Sequence, residues 1–298
     1  MKHILVIAVL CLIQSIASAT AAKRPYYIET TPTGLILYPG SIAVPLDQLT
    51  KAPNSMVDHI LDSVQANATN EYVVVLVLPG SESSYRILRK MIGVRRIDVG
   101  YEAVDPDLKP KWDGNFTAGR FVDKNGTELF IYKTKPRATE TEREAIFYEC
   151  RNNQVFCVNK SALDIRLTNI LSSLQANIPR NDASGLAKAI LSQKITNEFY
   201  TVNTSYLMSG VMALEALPNV KGENILQLDD VGGKYRTALN RYDQHKQFIA
   251  FLVRSDSFVA FRAARNIAEK RGFVTGWELL DSKQPIKFGA GGTSIKVQ

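Results

Sequence analysis

Histidine and cysteine are scarce. The chain of 298 residues has three of each, and one of each, His3 and Cys11, sits in the first apolar segment. The other histidines, His59 and His245, lie on unrelated segments, so no His–thiolate set has the spacing a zinc site needs. A glycine-flanked serine elbow, a phosphate-cradling loop and a dinucleotide fingerprint are all missing as well. These gaps leave no catalytic residue, metal or cofactor to assign, and a protein that is not an enzyme is the expectation. Beyond Ile13 no run approaches the roughly 20 apolar residues of a membrane-spanning helix. Lys and Arg number 36 against 29 Asp and Glu, but they are interspersed with acids and no nucleic-acid motif accompanies them, so nucleic acid is not an expected partner.

Apolar residues at 45% and charged residues at 22% are those of a folded chain. The start, MKHILVIAVLCLIQSIASATAA, has a basic Lys2, an apolar run from Ile4 to Ile13 and small residues ending in Ala17-Ser18-Ala19. That pattern predicts a secretory signal over residues 1–19, cleaved after Ala19, with a retained anchor as the alternative. No membrane span is expected after its removal. Cys150 and Cys157 then remain, in YECRNNQVFCV, which reads as a hairpin turning at Asn152-Asn153. In an exported chain they are either a disulfide or two buried thiols. Five Asn-X-Ser/Thr triplets, at Asn67, Asn115, Asn125, Asn159 and Asn203, would be glycan acceptors only on a eukaryotic route.

The dominant feature is internal repetition. LVLPGSESSYRILRKMIGVRRIDVGYEAVD (residues 76–105) and LVRSDSFVAFRAARNIAEKRGFVTGWELLD (residues 252–281) align without a gap at an offset of 176. Arg86, Arg89, Glu102 and Asp105 meet Arg262, Arg265, Glu278 and Asp281. Upstream, YYIETTPTGLILYPG resembles IFYECRNNQVFCVNK, with Glu29 matching Glu149, and HILDSVQAN resembles NILSSLQAN. The pattern predicts an α+β fold of two repeated small mixed-sheet domains, each a hairpin, helix, strand, helix and strand, with two helices on one face. Asn54 or Ser55, Ser161, Ser81 and Ser257 are expected helix caps. The continuous runs EYVVVLVL and QFIAFLV suit strands buried on both faces, and Gly100 and Gly276 suggest a bulge or a close helix–strand contact.

The copies differ where copy two carries an insert, residues 178–247, between its first helix and its buried strand. SGLAKAILSQ, YLMSGVMALEAL and KYRTALNRY within it read as short helices. The boundaries are therefore residues 24–112 for the first repeat, 113–143 for a linker, 144–288 for the second repeat, and 289–298 for a flexible tail. In the linker, Asn125-Gly126 between alternating residues predicts a hairpin.

Glu102 with Asp105, and Glu278 with Asp281, could serve glycoside hydrolysis as paired carboxylates, but their repetition fits a structural use better. Arg86, Arg89, Arg262 and Arg265 lie off the apolar helix stripes. They form either a solvated face or a binding surface for an anionic envelope polymer.

GLILYPGSIAVPL, the helix after it, YVVVLVLPGS, the helix with Tyr85 and Leu88, and IDVGYE resemble the periplasmic domain of the ExbD/TolR family. YECRNNQVF and LRKMIGVRRIDVGYE are similar to exported planctomycete-type proteins. The resemblance implies a bacterial periplasm or cell envelope, an envelope protein or peptidoglycan as partner, and a tendency to dimerise. The family's proton-driven motor role needs an acidic residue in a membrane helix, and Ile4 to Ile13 holds none.

Overall fold

The structure, a computed structural model, describes residues 23–51, 55–110, 120–122, 128–130, 142–179 and 181–289. The expected signal (1–19), most of the linker, the Asn115 and Asn125 triplets and the tail beyond Gly289 lie outside them. The chain is α+β, and the described residues form two mixed sheets and two small antiparallel ones.

The first sheet is built on β1 (Arg24–Thr31). Strand β2 (Gly34–Leu37) returns antiparallel to it and β3 (Ile42–Pro45) follows, while β4 (Glu71–Val77) and β5 (Val99–Ala103) add parallel strands on its other side. Val73, Val75 and Val77 of β4 face the helices, and Val74 and Leu76 face the opposite side. A strand apolar on both faces therefore sits inside the sheet. After the short α1 (Leu46–Lys51), α2 (Met56–Ala66) starts on a reciprocal cap, in which Asp58 N donates to Ser55 Oγ and Ser55 N to Asp58 Oδ2, both at 3.2 Å. Helix α2 buries Val57, Leu61 and Val64 beside Tyr85, Leu88 and Ile92 of α3 (Glu82–Arg95).

Beyond β5 lie β6 (Lys109–Pro110), β7 (Arg120–Val122) and β8 (Glu128–Phe130). β7 and β8 pair antiparallel, as the linker hairpin requires, with its Asn125-Gly126 tip outside the described residues.

In the second sheet, β9 (Glu144–Arg151) lies between antiparallel β10 (Gln154–Cys157) and parallel β13 (Gln247–Arg254), and β14 (Thr275–Leu280) lies beyond β13. Asn152 and Asn153 make the β9–β10 turn with φ of 50° and 53°, the left-handed conformation asparagine tolerates best among non-glycine residues. Glu29 stands opposite Leu76 and Ile36, as Glu149 does opposite Leu252 and Phe156. Leu76 pairs with Glu102 as Leu252 pairs with Glu278. Register runs unbroken through Gly100 and Gly276, so neither marks a bulge.

Several expectations need correction. Ser81 and Ser257 do not cap α3 and α8 (Phe258–Lys270). The Ser81 hydroxyl is taken by Leu78 O at 2.6 Å, and Ser257 Oγ donates to Asp256 and accepts from Asn153 N at 2.8 Å. Asn159, not Ser161, caps α4 (Lys160–Asn177). Helix α4 also leaves the face its sequence implies. It packs Leu163 with Phe156, Leu252 and Leu280, on the side of the sheet away from α8. Beside α8 lie α6 (Ile225–Asp229) and α7 (Lys234–Leu239), which insert Leu228, Tyr235 and Leu239. The cause is connectivity: α2 must hand the chain straight to β4, whereas the insert frees α4 from that constraint.

The insert folds against its host. Helix α5 (Ala183–Leu191) matches expectation, but YLMSGVMALEAL is a 3₁₀ turn (Thr204–Ser209) followed by a strand, β12 (Val211–Ala216). Gly210, at φ 73°, ends the turn, and β11 (Tyr200–Asn203) and β15 (Ile286–Gly289) then satisfy β12 on both edges. One continuous core contains α2, α3 and β4 together with β9, β13, α6, α7 and α8. Tyr85 stacks on Trp277 across it at 6.3 Å and 16°.

Candidate functional site

Two places gather chemistry-bearing side chains. The first joins the halves. Arg86 pairs with Asp281 at 2.6 Å and Arg262 with Asp105 at 2.5 Å, while Arg89 pairs with Glu278 and Arg265 with Glu102 at 3.2 Å. Each arginine on α3 thus reaches an acid at the end of β14, and each on α8 reaches the corresponding acid at the end of β5. The four arginines expected on a solvated or binding surface are thus each engaged by an acid, with Arg86 still 52% exposed. Both acidic pairs are engaged as well.

Glu102 and Glu278 are 9% and 8% exposed. Burial raises the Glu278 carboxyl to about 7 despite the Arg89 charge beside it, and burial likewise raises Glu102 despite Arg265. A buried carboxylate is costly even when paired, which is why a nearby arginine does not restore the ordinary value.

A second ionic cluster lies on the far side of β9. Glu149, 0% exposed, accepts Arg254 Nε and Nη2 on Oε1 at 2.9 and 2.8 Å, and Arg151 and Tyr200 OH on Oε2 at 3.2 and 2.8 Å. Arg254 also donates to the Asp281 carbonyl, and Arg151 lies 3.8 Å from the Phe156 ring centroid. In the first sheet Tyr38 OH donates to Glu29 at 2.8 Å. The match of Glu149 to Glu29 was legible in the sequence, but Arg151, Arg254 and Tyr200 have no matching residues beside Glu29.

The second place is a cavity of about 440 Å³ between the β9–β10 hairpin and the insert. Strands β9 and β10 contribute Tyr148 and Cys157, the approach to β11 contributes Phe199, and the insert contributes Glu223, Asp230 and Tyr235. Backbone pairing fixes the insert: Val155 N donates to Glu223 O at 2.9 Å and Glu223 N to Val155 O at 3.0 Å. Gly222 allows that approach, because a Cβ there would lie 2.6 Å from Val155 O and 2.9 Å from the Phe156 ring. Gly222→Ala should therefore lift the segment from β10 and cost about 1–3 kcal/mol of stability, read as a lower urea midpoint. An unchanged midpoint would contradict this packing.

Within the cavity, Glu223 Oε2 accepts Tyr235 N at 2.6 Å, and burial raises the Glu223 carboxyl. Tyr148 is 2% exposed and meets Tyr235 edge-on at 4.9 Å. Its hydroxyl meets no partner in full hydrogen-bond geometry, and Tyr242 and Cys157 lie close enough to interact with it weakly.

Cys150 and Cys157 are both free thiols in the structure, the first buried and the second half-buried. Cys150 is opposite Val155 and Cys157 opposite Tyr148, so the two cysteines are diagonal neighbours, about 7–8 Å apart in such a ladder and beyond ordinary disulfide reach. Both instead pack into the core. His59 and His245 are exposed, and among the described residues no group of His, Cys, Asp and Glu could hold a metal ion. No described helix is long and apolar enough to cross a membrane.

Sequence reasoning missed the cavity because its walls come from residues 148–157 and 198–238, which touch only after the insert folds back. Comparison with protein-family models, with curated proteins and with solved structures found no match.

Proposed function

We propose that the chain is a non-catalytic binding or scaffolding module of the bacterial cell envelope, exported after cleavage behind Ala19. In this reading residues 24–112 and 144–288 are two copies of one ExbD/TolR-like unit, and each copy serves as the other's dimer partner. The observation that carries the reading is the reciprocity of the ion pairs. Arg89–Glu278 becomes Arg265–Glu102, and Arg86–Asp281 becomes Arg262–Asp105, under the same offset of 176 that relates the sequences. A self-complementary patch is what a two-fold interface requires, and the matching registers around Glu29 and Glu149 support the same duplication.

The acids that could have run hydrolysis hold the halves together, which favours scaffolding over the hydrolase alternative. Outer strands remain for a partner: β3, edge of the first sheet, carries exposed Ile42, and an added strand there would use β3's outer backbone groups. Purified chain should co-sediment with peptidoglycan or retain a defined envelope protein from extract. Retention of neither would sink the proposal. Glu102→Gln and Glu278→Gln should leave that retention intact, whereas a glycoside hydrolase would lose turnover in one of them.

A further inference from the structure

We propose that the cavity between the β9–β10 hairpin and the insert binds a small organic ammonium ion with an aromatic or aliphatic body. A volume of about 440 Å³ falls in the range of small-molecule sites. Tyr148, Phe199 and Tyr235 supply an aromatic wall suited to an apolar body and to cation–π attraction. Inside it the Tyr148 hydroxyl is buried with no partner in full hydrogen-bond geometry, an arrangement that costs free energy until something fills it. An ammonium N–H donating to that oxygen would do so.

Charge selects a cation over an anion. Lys234, at the rim, is already paired with Glu198 at 3.2 Å. Glu223 and Asp230 also line the cavity, and among the described residues neither has a cation within ion-pair distance; Lys221 is the remaining basic residue there. Two carboxylates against one lysine leave a net negative site. Glu223 is half-buried and held by the Tyr235 backbone N–H at 2.6 Å. Desolvation strengthens its attraction for an entering cation. The site forms where the insert meets the β9–β10 hairpin and does not depend on the proposed function.

The test is calorimetric titration of the full chain at pH 7.5 with phenethylamine and cyclohexylmethylamine, and with 2-phenylethanol and 3-phenylpropanoate as neutral and anionic analogues. At least one amine should bind saturably at low-millimolar concentration or below, about tenfold or more tighter than the alcohol, with the carboxylate weakest. Glu223→Gln should bring the amine to the alcohol's affinity, since glutamine keeps the acceptor for Tyr235 N but loses the charge. Asp230→Asn, at an exposed position, should weaken the amine several-fold even if the Glu223 variant does not fold. Tyr148→Phe should weaken it about tenfold or more, the usual value of one hydrogen bond involving a charged group. Absence of saturable amine binding, or an alcohol or carboxylate that binds as tightly as the amine, would overturn the proposal. So would charge variants that bind the amine as tightly as the parent.

Discussion

Arg254→Met should cost about 3–5 kcal/mol of stability, the usual consequence of removing one member of a buried ion pair. Arg254 is 9% exposed and, among the described residues, is the only group giving Glu149 two N–H donors. Arg151 and Tyr200 remain in the variant, but they meet the other carboxylate oxygen, so Oε1 loses both of its donors in the core and the carboxylate keeps one of its two arginines. For a chain of this size the melting temperature should fall by on the order of 10 °C. Adding Glu149→Met should recover only part of the loss, because the carboxylate charge goes with it but Arg151 and Tyr200 then lose their acceptor. A loss under about 1 kcal/mol in the single variant, measured by urea unfolding, would contradict this reading of the cluster.

The second large effect is a pH dependence. In the folded chain the Glu278 carboxyl holds its proton up to about 7, whereas in the unfolded chain it releases it near the ordinary glutamate value, about 4.3. Between those values the folded state binds the extra proton, so stability is fully present at the acid end and is lost as pH rises through 7. The groups facing Glu278 are Arg89, Tyr85 and Tyr101. The two tyrosines titrate above this window, and only Arg89 opposes the effect of burial. Glu102 is raised by burial too and adds in the same sense. The chain should be more stable at pH 5 than at pH 8 by up to about 3 kcal/mol from Glu278 alone. Glu278→Gln should remove most of that slope, since its amide does not titrate. Equal stability at the two pH values, or greater stability at pH 8, would contradict the burial argument.

Much of the strand framework was legible because residue spacing in strands follows from the backbone. Two apolar runs with a matched glutamate in the neighbouring hairpin require matched registers, and Glu29 and Glu149 occupy them. Asn152-Asn153 fixed a turn through its own backbone preference. Helix ends were less readable. Ser81 and Ser257 stand in capping positions but spend their hydroxyls on neighbouring loops and turns, a competition among partners that local sequence does not resolve. The face chosen by α4 was illegible for a different reason. NILSSLQAN matches its α2 counterpart, yet the insert brings α6 and α7 to the ground beside α8, and α4 buries Leu163 elsewhere. The arginine stripe of α3 was readable as polar, but whether it met water or β14 depended on the packing of one half against the other. The cavity depended on the fold of the insert, where Gly210 and two strand neighbours turned an expected helix into β12.

A crystal structure of the chain, refined to side-chain detail, puts the duplication to its most direct trial. Residues 24–37 with 71–103 should superpose on residues 144–157 with 247–280, strand for strand. Arg89 should lie on Glu278 and Arg265 on Glu102 in the same molecule. Sheets with different strand orders, or arginines turned to solvent in both halves, would contradict a chain that folds as its own two-fold partner.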